Sequence, residues 1–416
     1  MLRNKYYQEG VNISIAKRNL LIMWFCNFLV AASMTMVVPF ISLYIETFGD
    51  FSDEYVQRWA GLVFGVTFIS AFLFSPLWGK IGDKYGFKPI LLITGFGIAL
   101  SVFIMGIVSN VIGLFILRMF MGIVTGFIPT SIALISKQTP KSEAGKTLGT
   151  LQMGNVSGSL FGPLLGGLMA DTFGFQYTFI LTSIGVAIAS TVVLFGIREI
   201  KQTEEELKNI KPHTSKDVIK LIFNRKLLIM VMLVALLIQI GNFSIQPLLA
   251  LYVSDLTKAT SVAFLSGMAF SATGFGNLLL TRQWGKLGDS IGFEKVLLIL
   301  LVLASILIVP QAFVSELWQL VLLRFLYGMA VGGMLPCITA YIRLEAPLDM
   351  QGEVLGYNQS FRFLGNVIGP ALGGFVAGFG GISSVFYVTG SLFLVGFVLL
   401  FVSLKHTEQK NLSESF

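Results

Sequence analysis

Charge is scarce in this chain. Only 12% of its 416 residues are Asp, Glu, Lys or Arg, against roughly 25% in soluble domains, and that shortage excludes an ordinary soluble fold. Cysteine and histidine are rarer still, at two each. Cys26 and Cys337 both fall inside apolar runs, too few and too isolated for a disulfide framework, and His213 and His406 have no ligand-spaced partners, so no metal site is expected. The sequence offers no nucleophile constellation and no phosphate loop, and its Gly-rich stretches do not follow strand patterns. An enzyme is therefore not expected, and neither is a cofactor. No small-residue cleavage site follows the first apolar run, which makes Leu20 onward a retained span rather than a signal peptide.

What the chain has instead is apolar length. Apolar residues make up 55% of it, with a mean hydropathy of +0.80. Uncharged stretches near 20 residues recur, each long enough to cross ~30 Å of hydrocarbon. Apolar runs between charges and Gly/Pro punctuation predict helices near 20–47, 60–79, 89–108, 111–135, 147–170 and 175–196. A second set follows near 227–252, 261–284, 295–313, 317–341, 354–378 and 384–404. The expected organisation is a first six-helix half (1–196), a charged cytoplasmic linker (197–226) and a second half (227–416). Within the linker, the apolar phase of Val218, Leu221 and Ile222 predicts a short surface helix.

The sequence pI of 9.3 is topological rather than a sign of nucleic-acid binding. Of 29 Lys and Arg, 24 fall in segments on one side of the predicted membrane, two lie opposite (Arg58, Lys258) and three lie inside spans. The positive-inside rule then puts both termini in the cytoplasm.

The two halves are repeats. Gly79-Lys80-Ile81-Gly82-Asp83-Lys84-Tyr85-Gly86-Phe87 recurs as Gly285-Lys286-Leu287-Gly288-Asp289-Ser290-Ile291-Gly292-Phe293, a shift of 206 residues. Arg118, Gly122 and Gly126 match Arg324, Gly328 and Gly332 at the same shift. Gly145, Gly149, Gln152, Gly162-Pro163 and Gly166-Gly167 match Gly352, Gly356, Gln359, Gly369-Pro370 and Gly373-Gly374 at 207. Six spans separate equivalent positions, so both copies face the same side and the repeats are parallel.

With these residues in view, the chain resembles the major facilitator superfamily along essentially its whole length. The implied fold is an all-α membrane protein of twelve transmembrane helices in two parallel six-helix repeats. Gly79, Asp83, Lys84, Gly86 and Lys88 fit that family's hairpin motif between helices 2 and 3. The glycines permit a tight turn, and Asp83 is placed to accept from helix N-terminal amides and basic groups, as a conformational latch. The second copy, at Asp289, has lost two basic partners and should latch more weakly. Arg118 and Arg324 lie within helices 4 and 10, where an arginine is costly and by default functional; the resemblance links the helix 4 arginine to proton coupling. Gly158, Gly162, Pro163, Gly166 and Gly167 match the family's antiporter motif. Together with Gly154 they form a side-chain-free groove on helix 5, expected to let the two halves close and rock.

Val37-Val38-Pro39-Phe40 and Phe127-Ile128-Pro129 bring the chain close to the Gram-positive multidrug exporters, the pneumococcal-type fluoroquinolone pump among them. Two features depart from that pattern. No Asp or Glu occupies the middle of a span, so the proton-carrying role falls to Glu46 or Asp83 beside Arg118. And Arg362 sits about a third of the way into helix 11, where it could pair with a substrate carboxylate or phosphate. By resemblance the cavity is lined by helices 1, 4, 7 and 10, which offer Asn27, Met36, Gln239, Asn242, Phe243, Gln246, Tyr327 and Met334, an adaptable aromatic and Met surface.

The expected function is proton-coupled efflux of varied amphipathic compounds by alternating access. The alternative is an exporter or flippase of one amphipathic metabolite or lipid. The expected partners are small amphipathic substrates, protons and the lipid bilayer, without nucleic acid, and the protein is expected to act as a monomer in the cell membrane.

Overall fold

The computed structural model describes residues 2–139, 144–199, 215–257, 259, 261–347 and 350–414, without the side chains of 2–13, 75–76, 79–80, 83, 144–146, 215–217, 351–353 and 407–414. Sixteen α-helices and no strand occur among the described residues. In chain order they are α1 (Leu2–Met36), α2 (Ile41–Glu46), α3 (Asp53–Tyr85), α4 (Phe87–Met105), α5 (Val111–Ile123), α6 (Phe127–Gln138), α7 (Ala144–Phe173) and α8 (Phe175–Gly196). Then follow α9 (Ser215–Asn224), α10 (Lys226–Ser244), α11 (Leu249–Leu256), α12 (Val262–Ile291), α13 (Phe293–Ile308), α14 (Leu317–Glu345), α15 (Gln351–Gly380) and α16 (Ile382–Glu414).

Among the described residues, eleven segments are long and apolar enough to cross a membrane. The remaining long helix, α7, has 30 residues, ample to span. Its glycines, together with Asn155, Ser157 and Ser159, dilute its hydropathy. Large apolar side chains face outward along the spans, Phe195 at 80% exposure being the extreme. Such surface is at home in acyl chains and not in water.

Three spans that the apolar pattern reads as continuous are broken, and the ninth ends in a 3-10 turn at Val309–Phe313. The first bends through a 3-10 turn at Val38–Phe40, the fourth stops at Ile123 and resumes at Phe127, and the seventh turns at Gln246–Leu248. Proline explains each. A proline lacks an N–H, and its ring clashes with the carbonyl four residues back; for Pro39, Pro129 and Pro247 those carbonyls belong to Thr35, Thr125 and Phe243. Pro129 is tolerated in the first turn of α6, where its N–H would have no helical partner anyway. The short α9 buries Val218 and Ile222 and leaves Leu221 partly covered, in the phase the linker sequence predicts.

The chain divides into two compact units, residues 1–39 with 69–210, and 40–68 with 211–416. Helix α3 contributes to both. In the first unit α1 packs on α7 and α8, and α4 packs on α8, α5 and α6. In the second, α10 packs on α15 and α16, α13 on α14 and α16, and α12 along α14. The pairs α1–α7 and α10–α15 are repeat-related, as are α4–α8 and α13–α16. The turns match as well: Gly86 and Gly292 have φ of 96° and 97°, and Gly174 and Gly381 have φ of 86° and 76°. Side chains avoid that region, so glycine is required there.

Glycine also sets the helix spacing. Along α7, a Cβ at Gly154, Gly158 or Gly166 would collide with the carbonyl oxygens of Trp24, Phe28 or Met36 on α1, and one at Gly162 with the Thr35 hydroxyl. Along α15, Gly365, Gly369 and Gly373 meet the carbonyls of Leu236, Ile240 and Ser244 on α10. In lipid, with no hydrophobic drive between helices, this close backbone approach supplies the dispersion contact that holds them together. Gly154, Gly158, Gly162 and Gly166 of the antiporter motif therefore face α1 inside their own unit. A second face of α15 packs on the N-terminal part of α3 within the second unit. There Gly61 meets the Pro370 carbonyl and Gly374 the Gln57 carbonyl. Arg58 pairs with Glu54 at 2.5 Å and lies over the rings of Phe375 and Phe379, 5.2 and 4.7 Å from their centroids.

Candidate functional site

The first glycine-flanked loop ends α3 and begins α4. Gly79 lies within α3, Gly86 makes the turn, and Lys84 is exposed with its Nζ 5.0 Å from the Tyr85 ring centroid. The side chain of Asp83 lies outside the described residues. The carboxylate that accepts from the first amides of α4 is Glu199, which follows α8. Its Oε1 takes the N–H of Phe87 and, at 2.7 Å, that of Lys88. Lys88 Nζ in turn donates to the Ile197 carbonyl at 2.9 Å. An anion on a helix N-terminus meets both the unsatisfied amides and the positive end of the dipole. Asn19 completes this end of the unit: buried, it donates to Gln138 Oε1 at 2.8 Å and to the Arg198 carbonyl at 2.7 Å. In the second unit the corresponding tie is Arg225, bonded to the carbonyl and carboxylate of Glu345 at 2.7 and 2.6 Å. Asp289 lies exposed in the last turn of α12.

Glu199→Ala should lower the stability of the first unit by about 1 kcal/mol, the usual worth of a helix cap. The thermal midpoint of the purified protein should fall accordingly. An unchanged midpoint would show that the cap contributes nothing.

The two repeat-related arginines, Arg118 and Arg324, differ in one bond. Arg324 on α14 is buried, and its Nε donates to the Ala269 carbonyl of α12 at 3.0 Å. Arg118 on α5 is equally buried, and its Nε, like Nη1 of Arg324, has no hydrogen-bond partner among the described residues. Around them the repeat is maintained by two tryptophans that sequence reading did not single out. Trp78 Nε1 donates to the Ile123 carbonyl at 2.6 Å, and Trp284 Nε1 to that of Met329 at 2.7 Å. Glu46 is exposed at the C-terminal end of α2.

The expected lining residues separate by unit. In the first, Asn27 is buried with neither side-chain atom hydrogen-bonded among the described residues, and the Met36 sulfur accepts from the Thr182 hydroxyl at 3.0 Å. In the second, Tyr327 donates to Asn242 Oδ1 at 2.5 Å and stacks on Phe393, centroids 6.2 Å apart. Phe243 meets Phe68 edge-on at 5.2 Å and Phe64 at 6.2 Å. Phe64 and Phe68 come from α3 and were not foreseen among 37 phenylalanines. Gln239 and Met334 are buried, Gln246 is partly covered in the turn after α10, and Arg362 Nη1 donates to Gln359 Oε1 at 2.9 Å. The result is an aromatic cluster joining α3 to α10 and an amide–tyrosine pair joining α10 to α14.

Duplicated helical units, spans long enough for a bilayer and costly polar groups held inside them define a membrane transporter. The family profile described as Major Facilitator Superfamily matches residues 23–282 and again 231–416, and the chain belongs to that superfamily. It is 59% identical over 383 residues to YuxJ, an uncharacterized MFS-type transporter of Bacillus subtilis (strain 168), covering 92% of this chain and 97% of YuxJ. It is 40% identical over 392 residues to the multidrug resistance protein MdtG of Enterobacter lignolyticus (strain SCF1), covering 94% of this chain and 93% of MdtG. Among solved structures, a bacterial homolog of the human lysosomal transporter Spinster superposes with a TM-score of 0.79 at 13% identity, over 93% of this chain and 96% of that one. The nucleoside transporter NupG superposes with a TM-score of 0.74 at 14% identity, over 94% and 99%. These two likenesses concern the fold alone.

Proposed function

We propose that this chain is a proton-coupled multidrug antiporter of the plasma membrane. It exports amphipathic compounds by alternating access, in the manner of the Gram-positive multidrug and fluoroquinolone pumps. The observation that carries the reading is a pair of neighbouring aromatic and amide clusters, Phe64–Phe68–Phe243 and Asn242–Tyr327–Phe393, built on adjacent residues of α10. Aromatic and thioether groups with few polar handles suit ligands of varied shape. Relatedness to MdtG multidrug resistance proteins over nearly the whole length supports the same reading.

Proton coupling rests on Arg118, whose buried Nε has no partner among the described residues, with Glu46 and Asp83 as the carboxylates that would exchange the proton. The Gly79–Lys88 loop, centred on Asp83, acts as the stronger latch and the Asp289 loop as the weaker one. Both termini face the cytoplasm, on the side where the basic residues concentrate.

Expressed in a bacterium lacking its own drug pumps, the protein should export dyes and fluoroquinolones, and a protonophore should stop the export. Uphill export that survives collapse of the proton gradient would exclude the coupling. One observation favours the alternative of a dedicated exporter or flippase for an amphipathic metabolite or lipid: a half-buried cation, Arg362, in chain whose described spans carry no central carboxylate. A panel of cationic, zwitterionic and neutral compounds separates the two, because a dedicated carrier should export none of the drugs.

A further inference from the structure

Three polar residues on α15 stand one turn apart: Asn358, Arg362 and Asn366. At i, i+4 and i+8 they share one stripe, about 6 Å between neighbours. Asn358 and Asn366 are 3% and 7% exposed. Each member of the stripe holds a buried polar atom with no partner among the described residues: Oδ1 of both asparagines and Nε of the arginine. A buried polar group left without a hydrogen bond is destabilising, and three stand here in one line on one helix. The helix is also fixed in place. Gly365 lies so close to α10 that a Cβ there would sit 2.6 Å from the Gln239 Cβ and 2.7 Å from the Leu236 carbonyl. The guanidinium is held as well, by the bond from Nη1 to Gln359 Oε1.

The order of these groups is informative. A fixed cationic donor lies between two hydrogen-bond acceptors, each about one helical turn away. We propose that this stripe is a subsite for zwitterionic amphipathic substrates. Arg362 takes the substrate's carboxylate, and an amide oxygen of Asn358 or Asn366 accepts from an ammonium or other donor roughly 6 Å along the ligand. A purely cationic ligand would meet the guanidinium as a like charge; a purely anionic one would leave both amide oxygens unmet. The proposal rests on the export reading and narrows its substrate class. It assigns Asn358 and Asn366 alongside Arg362.

The test compares two probes that differ only in charge. Nα-dansyl-lysine carries a carboxylate and an ammonium; its methyl ester carries the ammonium alone. Binding is read by dansyl fluorescence on the purified full-length protein, and ethidium export is followed in proteoliposomes. The acid should bind about ten-fold tighter than the ester, the worth of one charge-assisted pair. Arg362→Gln should bring that ratio to about one, Asn358→Leu and Asn366→Leu should each lower it, and Arg362→Lys should retain part of it. Because the readout is a ratio within each variant, partial misfolding does not imitate the effect. An equal affinity of the unaltered protein for the two probes overturns the subsite and leaves export standing if ethidium is carried. Equal losses for both probes in Arg362→Gln overturn it likewise. If neither probe binds and ethidium is not exported, the export reading falls and the subsite with it.

Discussion

Gly158→Leu is expected to abolish transport and to sharply reduce the yield of folded protein. The added side chain would begin at a Cβ colliding with the Phe28 carbonyl and lying 2.9 Å from the Ala32 nitrogen. Both are backbone atoms of α1, so no rotamer change relieves the clash. Overpacking a well-filled interior typically costs 1–3 kcal/mol, and a rigid backbone neighbour puts this case at or beyond the upper end. Separating α1 from α7 would also strip the neighbouring contacts at Gly154, Gly162 and Gly166, since the four lie on one line. The measurement is efflux together with the fraction of protein eluting as a single species in detergent. Gly149→Ala is the control: nothing lies within 4 Å of its would-be Cβ, and alanine improves a helix interior by roughly 0.5–1 kcal/mol. Wild-type export by Gly158→Leu would show that the stripe does not set the helix spacing.

Arg118→Leu should separate function from stability. The guanidinium is buried on α5 with its Nε unpartnered, so its removal relieves a desolvated charge without breaking a bond from that atom. A buried guanidinium carries a desolvation penalty that an apolar residue of similar volume removes. The thermal midpoint should therefore hold or rise, while proton-driven export drops to background. Arg324→Leu offers the contrast, because it breaks the bond to the Ala269 carbonyl that joins α14 to α12. It should lower the midpoint and weaken export only in proportion. Export retained in Arg118→Leu would remove the arginine from the coupling mechanism.

Most of the architecture is legible in the chain because the bilayer imposes one requirement on every span. Apolar length between charges locates the helices, and the shifts of 206 and 207 residues locate the repeat. The breaks are less visible. Hydropathy carries on through Thr125 and Phe243, and only the clash of a proline with a carbonyl one turn earlier interrupts the helix. Glu199 gave no signal at all: it caps α4 from 112 residues beyond Phe87, and nothing local to either end announces the pairing. Phe64 and Phe68 were hidden by abundance, since a phenylalanine on a lipid face and one beside Phe243 read alike. The stripe on α15 was half legible. Arg362 is conspicuous in an apolar run, whereas two asparagines one turn away become meaningful only once their oxygens are seen buried and unmet.

The tryptophan bonds of the two units bear on how such a molecule ages. Trp78 reaches Ile123 and Trp284 reaches Met329, each donor and each acceptor displaced by the same 206 positions. Both acceptors are peptide oxygens, which every residue possesses. Substitution at the receiving position therefore leaves the bond available, and the same bond is made to isoleucine in one unit and to methionine in the other. A contact addressed to the main chain on one side can drift there freely while the indole on the other stays fixed. Bonds of this kind preserve the imprint of an ancestral duplication longer than side-chain pairs, whose two members must change in concert.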